Sequence, residues 1–480
     1  MGDSLTRRQF LGTAAAGGAL LAGKLGARPL MAGEGEGWPA LPPVKIYRVY
    51  ISGGGSWPKP SFDAPAAIAM FEKHLAEVER ELGDIKFVGG EVVKSGAEAA
   101  KVAANLGDAA GVLVIHVSLG TWGQALAPIV KTGRPTAVFF QPFSGHEWVD
   151  ALQWQKAGEK VLLLATSDYD EIARVVALMR VPARLRQTRI VLVGRADGTP
   201  PARSAEQVKE HLGADVVPVS VGRLTEAHKA VDPKAAETEA DEWIRQAKKV
   251  VEPSTAEIVK SSRMYLAMKK IMAEERAQAI SIHCLGGIPI ATLGYPCLGF
   301  SKLDDLGLVG ACQADMDCTL TSLIFAYAFG APGFIANALF DTGKNAVLYA
   351  HCTAPTKMDG TAGERAPYTI RSHLEDNKGA SLDVEMRVGQ AVTCAKLVNL
   401  DTMLISTGKI TEIPDIDDSG CRTAITVEVA DVRKLMDNWL NVAKGRNYCV
   451  TVHRVVFYGD HLQSIKDLGA LMGLKVAEEV

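Results

Sequence analysis

The 480-residue chain lacks several features that would fix its chemistry at a glance. None of its eight cysteines form a C-x-x-C pair, so a zinc ribbon or a thioredoxin-type motif is excluded. All eight (Cys284, Cys297, Cys312, Cys318, Cys352, Cys394, Cys421 and Cys449) lie in the second half. The glycine-rich stretch Ser52–Gly55 has neither G-x-G-x-x-G nor P-loop spacing, which argues against nucleotide binding and leaves a ligand-side loop or a plain turn. Neither sign of charge dominates. A net charge of −3 gives no footprint for nucleic acid and leaves small neutral or acidic ligands open. Internal repeats are absent. No apolar run attains the roughly 20 residues of a membrane span.

The nearest such run, Leu11–Ala22, is rich in Ala and Gly and is followed by Lys24. It sits behind Thr6-Arg7-Arg8-Gln9-Phe10-Leu11, the order of a twin-arginine export signal. Residues 1–32 are therefore expected to be a signal peptide cut near Ala32, and the mature protein to be periplasmic or extracellular. Such signals belong to proteins that fold before export. The cysteines then read as small buried hydrophobes, with a late-formed disulfide as the alternative.

With hydrophobic residues at 48% and charged residues at 22%, the remainder has the composition of a globular protein with sizeable cores. Strand Val44–Ile51 precedes an amphipathic helix over Ala64–Leu82, where Ile68, Phe71, Leu75, Val78 and Leu82 recur at helical spacing. Strands at 85–88, 111–117 and 136–141 then alternate with helices at 97–105 and 123–130, the pattern of a parallel sheet covered on both faces. A second such system follows, with strands at 160–166, 189–194, 216–219 and 279–283 among helices at 169–179, 204–212, 235–250 and 256–276. Beyond His351 come short alternating strands with glycines between them, the mark of an antiparallel, barrel-like domain. The expected fold is α/β: two doubly wound parallel-sheet domains over 33–160 and 161–345, then a C-terminal β domain over 346–480.

Chemistry concentrates in Leu308–His351. Gln313, Asp315, Asp317, Asn337, Asp341 and His351 flank one apolar helix and one or two strands, the first a short one at Phe334–Asn337, and strand ends facing a cleft are where α/β proteins keep their sites. Helix capping also accounts for Asp315, and a turn accounts for Asp341. Farther upstream, His146, Glu147 and Trp148 follow the strand ending at Phe140 and are candidates for ligand contact; a solvated loop is the plainer reading.

Ala311–Asp317, Pro332-Gly-Phe-Ile335, Asp341–Asn345, His351-Cys-Thr-Ala-Pro355, Arg371–Asp376, Gly420–Thr423 and His453–Asp460 occur in an order that resembles the fucose/arabinose isomerase superfamily, in its fucose-isomerase-like branch. The resemblance spans roughly 280–480. It implies an oligomeric aldose–ketose isomerase acting on a small carbohydrate or polyol, with a manganese-type cation held by a Glu, an Asp and histidines. A hard cation takes oxygen ligands and polarises the carbonyl, while a carboxylate moves the proton through an enediol. The implied catalytic positions are Gln313, Asn337 and Asp341, and the implied metal positions are His351, His453, Gln313 and Asn337. Asp315, His373 and Glu375 join His146, Glu147 and Trp148 as substrate contacts.

At two of these positions the chain departs from the pattern. Gln313 stands where the family carries Glu, and Asn337 where it carries Asp. Each replacement is nearly isosteric but removes one negative charge and a proton acceptor. Two functions remain open: an isomerase with rearranged chemistry, and an exported sugar-binding protein that has lost turnover.

Overall fold

A computed structural model describes residues 41–53, 57–121, 123–374, 376–415, 420–442 and 452–480. The signal segment, Gly54, Gly55, Glu375 and Cys449 lie outside the described residues. No described helix is long and apolar enough to cross a membrane. The chain forms two compact units, one from residues 42–180 with 328–330, the other from 181–327 with 331–480.

The first unit carries strands β1 (Val44–Ser52), β2 (Ile85–Val93), β3 (Gly111–Ser118), β4 (Thr136–Phe140) and β5 (Val161–Ala165). They pair in parallel in the order β2-β1-β3-β4-β5. Helix Ala64–Leu82 has the bounds its periodicity predicts, for local reasons. The Asp63 carboxylate accepts the Ala66 N–H at 3.0 Å, Pro65 occupies the first turn, and Gly83 ends the helix in the left-handed region. Its buried face is Phe71, Leu75, Val78 and Leu82. At the switch between β1 and β3 the two exit loops touch, and a Cβ on Gly53 would stand 2.3 Å from the Gly120 Cα. Only glycine fits there, so Gly53 has a packing explanation in this unit.

The second unit opens with β6 (Arg189–Val193), β7 (Asp215–Val219), β8 (Lys249–Val250), β9 (Ala279–Ile282) and β10 (Val309–Ala311). Four of these form a parallel sheet in the order β10-β9-β6-β7. Nine more strands follow: β11 (Phe334–Asp341), β12 (Ala346–His351), β13 (Tyr368–His373), β14 (Lys378–Val384), β15 (Ala391–Val398), β16 (Thr402–Glu412), β17 (Thr423–Val429), β18 (His453–Tyr458) and β19 (Lys475–Glu478). The order β15-β18-β11-β12-β17-β16 is antiparallel throughout, and β15 also pairs with β16. The ring therefore closes into a barrel, with β19 added in parallel to β16. The expected α/β class with parallel sheets and an antiparallel C-terminal region is what the chain adopts.

Three details differ from the sequence reading. The strand read at 160–166 as part of the second system is β5, which pairs in parallel with β4 at the edge of the first sheet. The helix expected over 235–250 ends at Gln246, and Lys249–Val250 pairs in parallel with β13 instead. The Lys248 N–H donates to Tyr368 O at 2.8 Å and the Val251 N–H to Ile370 O at 3.1 Å, so partners far along the chain override the local helical pattern. The short strand expected at Phe334–Asn337 runs on to Asp341 and belongs to the barrel, since its partners are β12 and β18.

Barrel and C-terminus are tied by one buried ion pair. The Arg454 guanidinium donates to Glu479 at 2.8 Å and lies 3.7 Å over the Trp439 ring, and both charged side chains are withdrawn from solvent. Removing one partner leaves the other charge buried and uncompensated. Glu479→Ala is expected to lower unfolding free energy by about 3–5 kcal/mol in chemical denaturation, whereas loss of an exposed pair such as Lys466–Glu478 costs under about 1 kcal/mol.

Candidate functional site

In the second unit β10 runs into a turn, Cys312–Ala314, that reverses the chain before helix Met316–Phe329. Gln313 (φ 58°) and Ala314 (φ 55°) are both left-handed, a conformation that costs a non-glycine residue about 1–3 kcal/mol. The turn is held by Asp197, whose N–H donates to Ala314 O at 2.9 Å and whose carbonyl accepts from the Met316 N–H at 3.0 Å. This strained backbone delivers Asp315 to the head of the helix.

Asp315 does two things there. One oxygen caps the helix, accepting the Cys318 N–H at 3.0 Å. The other accepts from Lys396 Nζ at 3.0 Å and from His453 Nδ1 at 2.9 Å. All three side chains are buried. Burial pushes the Asp315 carboxyl up, but the Lys396 ammonium and the His453 hydrogen bond prevail and hold it well below the usual carboxylate range. Burial likewise pulls Lys396 down, while Asp315, Cys318 and Asp317 hold it above its ordinary value. Asp317, in the first turn of the helix, is pushed up to about 7 by burial against the pull of Lys396. It accepts from Thr199 N–H at 2.6 Å and Thr199 Oγ1 at 2.7 Å.

His453 opens β18 opposite Asn337 of β11, and Asn337 in turn opposes Ala350 of β12, the neighbour of His351. Opposed residues of an antiparallel pair share a face. By alternation Asn337 and His453 face away from the side on which Phe334, Ala336 and Val456 enter the barrel core. The His351 ring meets the His453 ring edge to face at 5.3 Å. Burial lowers the His453 pKa, with Asp315 opposing, which favours the neutral ring. With Nδ1–H given to an ionised carboxylate, Nε2 keeps its lone pair. That Nε2 is buried and has no hydrogen-bond partner among the described residues. For His351, burial is the largest influence and pulls down, while the Cys352 and Cys284 sulfurs together pull up, for a net rise.

The structure thus gathers Asn337, His351, His453 and Asp315, with Gln313 two residues before Asp315 on the strained turn. His373 stands at the edge of this group, hydrogen-bonded to the Cys352 thiol and stacked on Tyr295 at 4.3 Å. Asp341 is not brought in. It sits at the far end of β11, where its carboxylate accepts the Gly343 and Lys344 N–H groups of the turn. In the first unit, Glu147 is consumed by structure, accepting from Thr121 N–H at 3.1 Å, Thr121 Oγ1 at 2.7 Å and Gly123 N–H at 3.3 Å, and contacting His116 Nε2. Burial drives the His116 pKa down to about 4. His146 is exposed beside Trp57, and Trp148 is exposed at the head of helix Trp148–Lys156. Lys396 escaped the sequence reading. Its signal was a lone charge within the otherwise apolar Ala-Val-Thr-Cys-Ala-Lys-Leu-Val of β15.

Asp315, Cys318 and His453 each offer a ligand atom within 4.8 Å of the others, a spacing that could surround a cation. The donor set does not suit the manganese-type ion implied by the resemblance. Asp315 has one oxygen on a backbone N–H and the other shared between an ammonium and an imidazole. A thiol is a soft ligand, and Gln313 and Asn337 supply only neutral oxygens. A dication placed here would also face the Lys396 charge.

No family model matches the chain. Over 322 residues it is 23% identical to the sulfoquinovose isomerases of Priestia aryabhattai and of Priestia megaterium (strain ATCC 12872 / QMB1551), covering 64% of this chain and 68% of each relative. This is a likeness to sugar isomerases at the level of a superfamily, and it supports a sugar isomerase-like protein in that coarse sense.

Proposed function

We propose that the chain binds a small sugar or polyol where Gln313, Asn337, His351 and His453 meet, and interconverts aldose and ketose there, with His453 Nε2 as the proton carrier. The observation that carries this reading is the His453 ring itself, fixed through Nδ1 by an ionised carboxylate while Nε2 is left open in a buried setting. A neutral imidazole so oriented is a general base. Nε2 accepts the proton from the carbon beside the carbonyl, and the Asp315 carboxylate stabilises the imidazolium. Nε2 then delivers a proton, exchangeable with solvent while it sits on the ring, to the former carbonyl carbon, and a hydroxyl hydrogen passes between the two oxygens. The amide N–H groups of Gln313 and Asn337 are suited to donate to the oxygens where enediolate charge develops. The likeness to isomerases of a sulfonated sugar puts such sugars among the substrates to be screened.

A sugar-binding protein without turnover is the second reading, favoured by the two amides at the positions where the resemblance expects acids. The two readings part in an aldose–ketose screen of pentoses, deoxyhexoses and sulfosugars run in D₂O. Turnover with deuterium entering the substrate carbon is expected, and His453→Asn should lower it by about 10²–10⁴ with sugar affinity changed only a few-fold. Saturable binding with no isotope exchange would leave the second reading. The acid limb of kcat/KM should lie below the ordinary imidazole value of about 6.5, because burial depresses the pKa of the ring whose neutral form works.

Restoring acids tests the metal side. Gln313→Glu with Asn337→Asp should raise bound manganese, read by elemental analysis, from sub-stoichiometric to about one per chain. We propose further that the protein is exported by the twin-arginine route and is a homo-oligomer. Arg7→Lys with Arg8→Lys is expected to retain it in the cytoplasm, read by cell fractionation.

A further inference from the structure

Four cysteines of the second unit stand in two close pairs. Cys284 Sγ is 3.4 Å from Cys312 Sγ, and Cys297 Sγ is 3.4 Å from Cys352 Sγ. All four are buried and none is bonded to another. The pairs join positions 28 and 55 residues apart in sequence. Each also abuts the cluster described above, since Cys312 precedes Gln313 and Cys352 precedes Thr353 and follows His351. Cys318 and Cys394 are equally buried but make no thiol–thiol contact among the described residues.

Two thiols in van der Waals contact need only modest side-chain rotation to reach the bond length of about 2.05 Å. Buried cysteines without a neighbouring thiol have no such course. We propose that Cys284–Cys312 and Cys297–Cys352 are two dithiol modification sites, each closed to a disulfide by hydrogen peroxide, that clamp the segments carrying Gln313 and His351. In each pair one sulfur attacks the peroxide, the O–O bond breaks, and a sulfenic acid forms as the first water leaves. The partner sulfur displaces the sulfenic oxygen as a second water and the S–S bond forms. Two electrons pass from the thiols to the peroxide, and both thiol hydrogens depart in the waters. Cys312 is buried but Gln313 beside it is only partly so, and that is the side from which a peroxide little larger than water would enter. The inference stands on sulfur positions alone and holds whether or not the sugar reading does.

Peptide mapping tests it. The full chain, reduced and then freed of reductant, is treated with a few equivalents of hydrogen peroxide, denatured in iodoacetamide, digested and analysed by mass spectrometry. Alkylatable thiols should fall from eight to four, with Cys284 linked to Cys312 and Cys297 to Cys352, and with Cys318 and Cys394 recovered alkylated. Recovery of the four paired cysteines as alkylated thiols or as sulfinic or sulfonic acids would overturn the proposal, as would a link outside these pairs. Cys297→Ser should keep the Cys284–Cys312 link and leave Cys352 unlinked, and a new partner for Cys352 would reject the pairing. If that variant does not fold, the map of the unaltered chain decides.

Discussion

One carboxylate organises the second unit. Asp315 caps the helix Met316–Phe329, anchors the ammonium of Lys396 on β15 and aligns the imidazole of His453 on β18. Helix, strand and strand are thereby tied at one atom group. An ionised carboxylate is costly to bury alone, and the three donors converging on it offset that cost. The arrangement is cooperative in consequence: loss of any donor weakens the hold on the other two.

The same group sets the electrostatics around it. Asp315 and Lys396 neutralise each other, so the neighbouring ring of His453 sits in a medium that is dry but close to charge-neutral. Burial can then keep that ring uncharged without an opposing field strong enough to protonate it. Uncharged amides at Gln313 and Asn337 agree with such a balance. Acids at both positions would add two negative charges that a bound dication, or further protons, would have to meet.

Much of the first unit was legible because its rules are local. Asp63, Pro65 and Gly83 mark both ends of their helix within a few residues, and the strands alternate with helices at short range. The site was legible in part. Gln313, Asn337, His351 and His453 stood out through motif order; the register of β11 with β18 sets Asn337 opposite His453, and the His351 ring meets the His453 ring at 5.3 Å. Lys396 was not legible, because a buried lysine is explained only by the carboxylate it meets 81 residues away in sequence. Asp341 looked equivalent to its neighbours along the chain, yet β11 carries it four residues past Asn337 to a turn. The brief strand Lys249–Val250 was hidden for the same reason as Lys396, since its partner β13 lies far along the chain.

The left-handed turn at Gln313–Ala314 has an evolutionary consequence. A backbone held at φ 58° rejects side chains branched at Cβ, so Val, Ile and Thr are closed to position 313, while Asn, Asp, Gly and unbranched residues such as Gln and Glu are admitted. Exchange between Gln and Glu at this position therefore changes charge while leaving the backbone requirement met. A lineage carrying this turn can exchange an acid for its amide, and back again, without rebuilding the scaffold beneath it.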